Sequence, residues 1–183
     1  MRHLLWIILA LLLLSATALI AAKTSLLDLR RDREWRPTEI ATDSGLLDGV
    51  EVRLQSTRAV TTPAQEGRAL LHLRLAVTGP LQAREGWINC RVTLTDPQGR
   101  VWAPVETELT DGAVRTLAAD GQNNGRCNPL PYDAPGDGEA ILSDSVFVVP
   151  VEVLTQLRLN VSGFGTRPRA LSMPIRPALM TLQ

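Results

Sequence analysis

Residues 67–80 read GRALLHLRLAVTGP, and this stretch decides what kind of fold the chain adopts. Apolar residues occupy every second position, at Leu71, Leu73, Leu75 and Val77, and His72, Arg74 and Ala76 lie between them. A period of two places alternate side chains on opposite faces of a β-strand, so the stretch predicts a strand with one buried face. The polar positions, His72 among them, are then expected on the face that meets solvent.

The same alternation occurs in three further segments, residues 50–55, 88–95 and 157–161. Turn sequences separate them, and the DPQG sequence at 96–99 predicts a hairpin into Val101 and Trp102. No helical period lies between these segments. They therefore predict an all-β domain over residues 38–183, built as an antiparallel β-sandwich of two packed sheets.

The N-terminus carries a continuous apolar segment, residues 4–22, whose polar members are Ser15 and Thr17 alone. As a helix it is about 28 Å long, close to the thickness of a bilayer core. Residues 1–23 are therefore interpreted as a single-pass membrane anchor, or alternatively as a signal peptide cleaved near Ala18. Lipid attachment is not expected, because the first cysteine is Cys90.

Two features of the sequence around this segment indicate opposite orientations in the membrane. Arg2 precedes it, whereas Lys23 closes it and four arginines follow in a charged stalk at residues 24–37. Taken alone, the positive-inside rule would therefore keep the C-terminal domain in the cytoplasm. Three acidic residues in the stalk dilute that charge, and the segment lies at the extreme N-terminus as export signals do. We therefore expect the C-terminal domain to be extracytoplasmic.

A long acidic stretch, residues 104–145, interrupts the strand pattern. It holds eight acidic residues against Arg115 and Arg126 and is rich in glycine, asparagine and proline, so it is predicted to be an irregular loop on the sandwich. Loops of this length are frequently functional. The candidate partner-binding residues within it are Glu106, Glu108, Asp111, Asp133 and Asp137.

Residues 136–162, GDGEAILSDSVFVVPVEVLTQLRLNVS, resemble the late part of a bacterial immunoglobulin-like extracellular family. That family includes a secreted mycobacterial immunoprotective antigen and related lipoproteins. Its Pro/Gly turn, its strand ending in Phe-x-x-Pro and its leucine-rich strand match Pro135-Gly136, Phe147–Pro150 and residues 157–161. The resemblance implies an immunoglobulin-like sandwich outside the cytoplasm and brings no catalytic residues with it.

Cys90 and Cys127 form an even pair, which in an exported domain predicts a disulfide between the inward face of a strand and the acidic stretch. Two separate buried thiols are the alternative. Asp120, Gln122 and Asn124 place oxygens at alternate positions of a loop, as calcium sites do. No bidentate glutamate follows at the proper spacing, so a plain loop is the favoured interpretation.

Catalysis has little support. Beyond His3 the only histidine is His72, and a nucleophilic site needs a base that a third group orients. Trp87 and Trp102 are expected to fill the core, with an exposed ligand surface as the alternative. A net charge of zero argues against nucleic acid, and no cofactor is predicted.

The sequence thus predicts a non-catalytic, membrane-tethered extracytoplasmic module, which binds a protein of the membrane or envelope or acts as an accessory subunit of a complex there. A small-molecule or calcium-binding domain is the alternative, and an enzyme comes third.

Overall fold

A computed structural model of the whole chain describes residues 2–33, 35–61, 67–105, 109–130 and 136–181. The chain divides into two compact units, Met1–Trp35 and Arg36–Gln183. The first contains helix α1 (Arg2–Arg33), and the second contains every described strand.

Helix α1 includes an apolar stretch, Trp6–Leu29, with a mean hydropathy of 2.2. Its 24 residues suffice by length and composition to cross a membrane. The hydroxyls of Ser15 and Thr17 donate to the carbonyls of Leu11 and Leu13 at 2.8 and 3.0 Å, so the helix itself satisfies its polar side chains. The predicted anchor is thus one continuous apolar helix.

The stalk predicted over residues 24–37 is shorter than expected. Helix α1 ends at Arg33, and strand β1 (Arg36–Glu39) already includes Pro37. Pro37 lies on an edge strand, where the missing N–H of proline is tolerated. The last two residues of the predicted stalk therefore belong to the domain.

The described residues of the domain form ten strands, two short helices and a 3-10 turn. The strands after β1 are β2 (Ser44–Leu47), β3 (Val50–Thr61), β4 (Arg68–Thr78), β5 (Arg91–Thr95), β6 (Val101–Trp102), β7 (Ile141–Pro150), β8 (Arg158–Ser162), β9 (Arg169–Pro174) and β10 (Ala178–Thr181). The helices are α2 (Leu81–Glu85) and α3 (Leu109–Leu117), and the 3-10 turn is Val151–Val153.

The strands form two sheets. The first has the order β1-β9-β8-β5-β6, and the second has the order β10-β3-β4-β7 with β2 also paired to β3. The inward faces of both sheets contribute to one core, in which Val52 and Leu73 of the second sheet pack with Leu94 and Leu159 of the first. The fold is therefore sandwich-like, as the alternation predicted.

Two pairings depart from the predicted antiparallel arrangement. Strand β1 runs parallel to β9, and β10 runs parallel to β3. Both β1 and β10 are terminal strands of the domain, so no tight hairpin constrains their direction. The hydrophobic alternation predicts where strands lie but does not predict whether two neighbouring strands run parallel or antiparallel.

The predicted hairpin at 96–99 is present. Strands β5 and β6 pair antiparallel, and Asp96 Oδ1 accepts the backbone N–H groups of Gln98 and Arg100 at 3.0 and 2.9 Å. Gly99 has φ of 79°, which a glycine adopts without steric cost. The side chain of Asp96 and the freedom of Gly99 explain why this sequence turns here.

The prediction that no helix interrupts the strands is wrong. Helix α2 follows β4, and α3 lies inside the stretch predicted as irregular over 104–145. That stretch also ends earlier than predicted, because β7 begins at Ile141. The segment between β6 and β7, residues 103–140, is called the excursion below.

The two domain tryptophans differ in burial. Trp87 is fully buried in the core, as expected, and Trp102 is only partly buried against it. Gly163 packs directly on Trp87, since a Cβ at this glycine would lie 2.5 Å from the Trp87 Cα. The loop after β8 thus closes one end of the core over Trp87.

Candidate functional site

The excursion covers the outer face of the second sheet. Val114 and Ala118, in and just after α3, pack with Val146 of β7 and Leu70 of β4 in a small apolar cluster apart from the main core. Arg58 of β3 donates to the carbonyl of Leu117 at 3.2 Å. Both faces of β4 are therefore buried.

This cover makes the expectation of a solvent-facing His72 wrong. His72 is fully buried, and Arg74 two residues along is 5% exposed. The alternation correctly placed both residues on the outer face of β4. It did not reveal that a segment more than thirty residues further along the chain covers that face.

Asp144 of β7 is the centre of the buried polar cluster beneath the excursion. Its Oδ1 lies 2.7 Å from His72 Nε2 and accepts Arg74 Nε at 2.8 Å. Its Oδ2 accepts the backbone and side-chain N–H groups of Asn124 at 2.8 and 2.9 Å. Both oxygens are thus satisfied by donors from β4 and from the excursion.

Arg74 extends the cluster towards the surface. Its Nη1 donates to Asp120 Oδ2 at 2.7 Å, and its Nη2 donates to the carbonyl of Gln122 at 2.9 Å. Gln122 N in turn donates to Asp120 Oδ1 at 3.0 Å. One guanidinium therefore joins the carboxylate of β7 to the excursion.

Charge pairing governs the protonation of this cluster. Burial alone would raise the pKa of Asp144, but hydrogen bonds from His72, Arg74 and Asn124 outweigh it and hold that pKa well below its usual range. The hydrogen bond from Arg74 likewise lowers the pKa of Asp120. The cluster therefore contains ionised carboxylates at neutral pH.

The geometry of His72 suits structural anchoring. Its Nε2 carries the proton donated to Asp144, and its Nδ1 is buried with no hydrogen-bond partner among the described residues. A general base needs contact with the proton it abstracts, and a fully buried ring has no such access. His72 and Asp144 therefore join β4 to β7 beneath the excursion.

The three residues considered as calcium ligands, Asp120, Gln122 and Asn124, all lie in this cluster. Asp120 and the backbone of Gln122 accept from Arg74, and Asn124 donates to Asp144. Among the residues that the structure describes, no group of three or more His, Cys, Asp or Glu residues is arranged to hold a metal ion. The Asp120 carboxylate and the Gln122 backbone carbonyl therefore meet Arg74, and Asn124 meets Asp144.

The structure joins Cys90 and Cys127 in a disulfide with a Cα–Cα distance of 5.7 Å. Cys90 lies just before β5 rather than on the inward face of a strand, and Cys127 lies in the excursion. The disulfide therefore ties the excursion to the first sheet, whereas Asp144 ties it to the second. The disulfide and Asp144 together therefore attach the excursion to both sheets.

An open groove of about 990 Å³ lies between these attachments. Its floor is formed by Val92, Val146 and the disulfide, and its rim carries polar residues of the excursion and of the loops beside β5. These rim residues include Asn89, Arg91, Thr110, Asp111, Arg126 and Arg167. The groove combines an apolar floor and a polar rim, as binding sites do.

The predicted partner-binding residues fall in different places. Asp111 lines the groove and accepts a hydrogen bond from Asn123. Asp137 instead accepts the Leu81 N–H at the start of α2. Glu106, Glu108 and Asp133 lie outside the described residues. Of the acidic candidates that the structure describes, Asp111 alone lines the groove.

Comparisons with known proteins give distant likenesses. No family model and no curated protein matches the sequence. A crystallised candidate lipoprotein of Bacillus subtilis is similar at 11% identity and a TM-score of 0.43, over 74% of this chain and 39% of that one. A candidate lipoprotein of Staphylococcus aureus is similar at the same identity and TM-score, over 79% and 97%.

We predict that Asp144→Asn destabilises the domain by about 3–5 kcal/mol, because the amide turns a donor towards Arg74 or Asn124 and leaves the buried guanidinium with the partly exposed Asp120 as its remaining carboxylate partner. Asp120→Asn is the matched control, since Asp120 accepts from the same guanidinium but has a side chain 45% exposed. Asp120→Asn should lower the free energy of unfolding by a much smaller amount. Urea unfolding of the full chain in detergent, followed by tryptophan fluorescence, measures both. Equal losses of stability in the two variants would contradict the prediction that the buried carboxylate of Asp144 contributes more than the exposed carboxylate of Asp120.

We predict that acid removes the contribution of Asp144. Its folded pKa is depressed, so the unfolded state binds more protons and stability rises with pH in this range. The contribution is complete above the unfolded pKa of about 3.9, starts to fall as the pH drops below that value, and is fully lost once the pH has fallen through the folded pKa. Unfolding between pH 6 and pH 3 should show a steeper loss for the wild type than for Asp144→Asn. Parallel profiles would refute this assignment.

Proposed function

We propose that the protein is a non-catalytic, membrane-tethered binding module whose domain lies outside the cytoplasm and binds a protein partner in the groove. Support for the tether comes from the 24-residue apolar stretch of α1. Support for the location comes from the disulfide, which forms and persists in oxidising compartments. The absence of a catalytic role is part of this proposal and rests on the burial of His72.

The single observation that carries the binding role is the double attachment of the excursion. The Asp144 cluster and the Cys90–Cys127 disulfide hold adjoining parts of the excursion, residues 120–124 and Cys127, to different sheets, and both attachments line the groove. Walls that are already fixed lose little conformational entropy when a partner binds. Such a preorganised groove favours recognition over a purely structural role.

We also propose that the sandwich is a variant of the immunoglobulin type. Strand β7 ends at Pro150 after Phe147, and β8 (Arg158–Ser162) follows it. These strands coincide with the segments that carry the resemblance. The two parallel terminal pairings are the feature by which this chain departs from the antiparallel arrangement.

The location is tested by the redox state of the native cysteines. Intact cells are treated with a membrane-permeant maleimide, and the purified chain is then reduced and treated with a heavier maleimide. An extracytoplasmic domain should show a mass shift of two labels only after reduction. Labelling of both cysteines before reduction would place the domain in a reducing compartment. The Cys127→Ser variant, which keeps Cys90 as its single cysteine, serves as the reference for the mass shift of one label.

The groove is tested with two charge reversals. Asp111→Lys changes the rim of the groove, whereas Asp137→Lys changes an exposed aspartate that also makes one hydrogen bond but lies off the groove. We expect Asp111→Lys to reduce recovery of the partner after crosslinking in cells and tagged purification from solubilised membranes. Asp137→Lys should leave recovery unchanged. Equal recovery with both variants would contradict the groove as the binding site.

A further inference from the structure

Strand β5 has an uncovered edge at the groove. It pairs with β8 along all five of its residues, from Arg91 to Thr95. On its other side it pairs with β6 at Leu94 and Thr95 only. Among the residues that the structure describes, no strand therefore pairs with the first three residues of β5 on that side, and all three line the groove.

Hydrogen-bond alternation identifies the exposed backbone group. Asp96 N donates to the carbonyl of Arg100 at 3.2 Å, so even-numbered residues of β5 direct their backbone groups towards β6. Val92 is the next such residue after Leu94. Among the described residues, no backbone group forms a hydrogen bond with Val92 on that side.

Pro104 explains why β6 stops short. Continued pairing would bring Pro104 opposite Val92, and proline has no N–H to donate to a neighbouring strand. The chain instead crosses to the other sheet, where Val105 N donates to the carbonyl of Val146 at 2.8 Å. This crossing opens the groove between the edge of β5 and the edge of β7.

We propose that the groove binds an extended segment of a partner protein, which adds to the first sheet as a strand beside Val92. Strand addition is a recurrent mode of peptide recognition, in which backbone hydrogen bonds give affinity and alternate side chains give specificity. This inference rests on the proposed function and states the class of partner. The partner strand would take the position beside Val92 that Pro104 would occupy if β6 continued.

The surroundings of Val92 define the side chain that the partner presents. Opposed residues of adjacent strands share a face, and the side chain of Val92 points into the core. The partner residue opposite it therefore projects to the core side of β5, into an apolar space beside Val92. An aliphatic or β-branched residue suits that space. Its two neighbours project to the other face, beside Arg91 and Thr93.

Hydrogen exchange of the full chain in nanodiscs tests the open edge. The Val92 amide should exchange faster than those of Thr93 and Leu94, which are paired to β8 and β6. Peptides selected from a phage-displayed library of random dodecapeptides serve as the probe. A bound peptide should slow Val92 exchange about tenfold, the effect of one added hydrogen bond. Slow exchange of Val92 in the free protein would overturn the proposal, since the chain would then cover its own edge.

Two variants separate the backbone from the side chain. Val92→Pro removes the N–H that faces the groove, and Val92→Ala shortens the same side chain but keeps that N–H. Selected peptides should alternate apolar and polar residues, bind Val92→Ala, and lose at least about tenfold in affinity for Val92→Pro. If Val92→Pro does not fold, N-methylation of the peptide amide opposite Val92 tests the same bond from the other side. Equal binding of methylated and unmethylated peptides would overturn strand addition.

The result is distinguishable from failure of the proposed function. A partner that is lost with Asp111→Lys but unaffected by Val92→Pro shows a groove that binds without strand addition. A partner that is retained in both variants contradicts both proposals.

Discussion

The rest of the domain depends on one buried anion, the carboxylate of Asp144. A charge in this position is tolerated only when donors replace the water it has lost. Those donors come from β4, through His72 and Arg74, and from the excursion, through Asn124. The excursion can therefore leave the sheet only at the cost of an unsatisfied charge. A single carboxylate thus converts a glycine- and asparagine-rich segment into a fixed layer over the second sheet.

The disulfide adds an attachment of a different physical kind. It is covalent and joins the excursion to the start of β5, whereas the carboxylate cluster joins it to β4 and β7. Because these attachments lie on different sheets, the space between them cannot be closed by collapse of the excursion onto either one. The groove is therefore a consequence of how the excursion is held. Pro104 then adds an unpaired strand edge to that groove.

Much of the fold could be predicted from local patterns. Alternation identified β3, β4, β5 and β8, and the DPQG sequence identified the hairpin into β6. Helix α3 was missed because the glycine and acidic residues around it are typical of loops. The site was largely missed as well. Asp120, Gln122 and Asn124 were noticed as a group, but the partners they meet are Arg74 and Asp144, which lie outside that segment and carried no local signal of burial.

The sequence by itself determined the apolar N-terminal helix, the strands with their inward faces and the pair of cysteines, because each depends on spacing along the chain. Only the tertiary structure decided which outer face is covered, where His72 lies and which cation meets the excursion. Burial is a property of what packs above a residue, and at β4 that cover comes from residues 109–127. The alternation of β4 predicts two faces, and the excursion decides that both are buried.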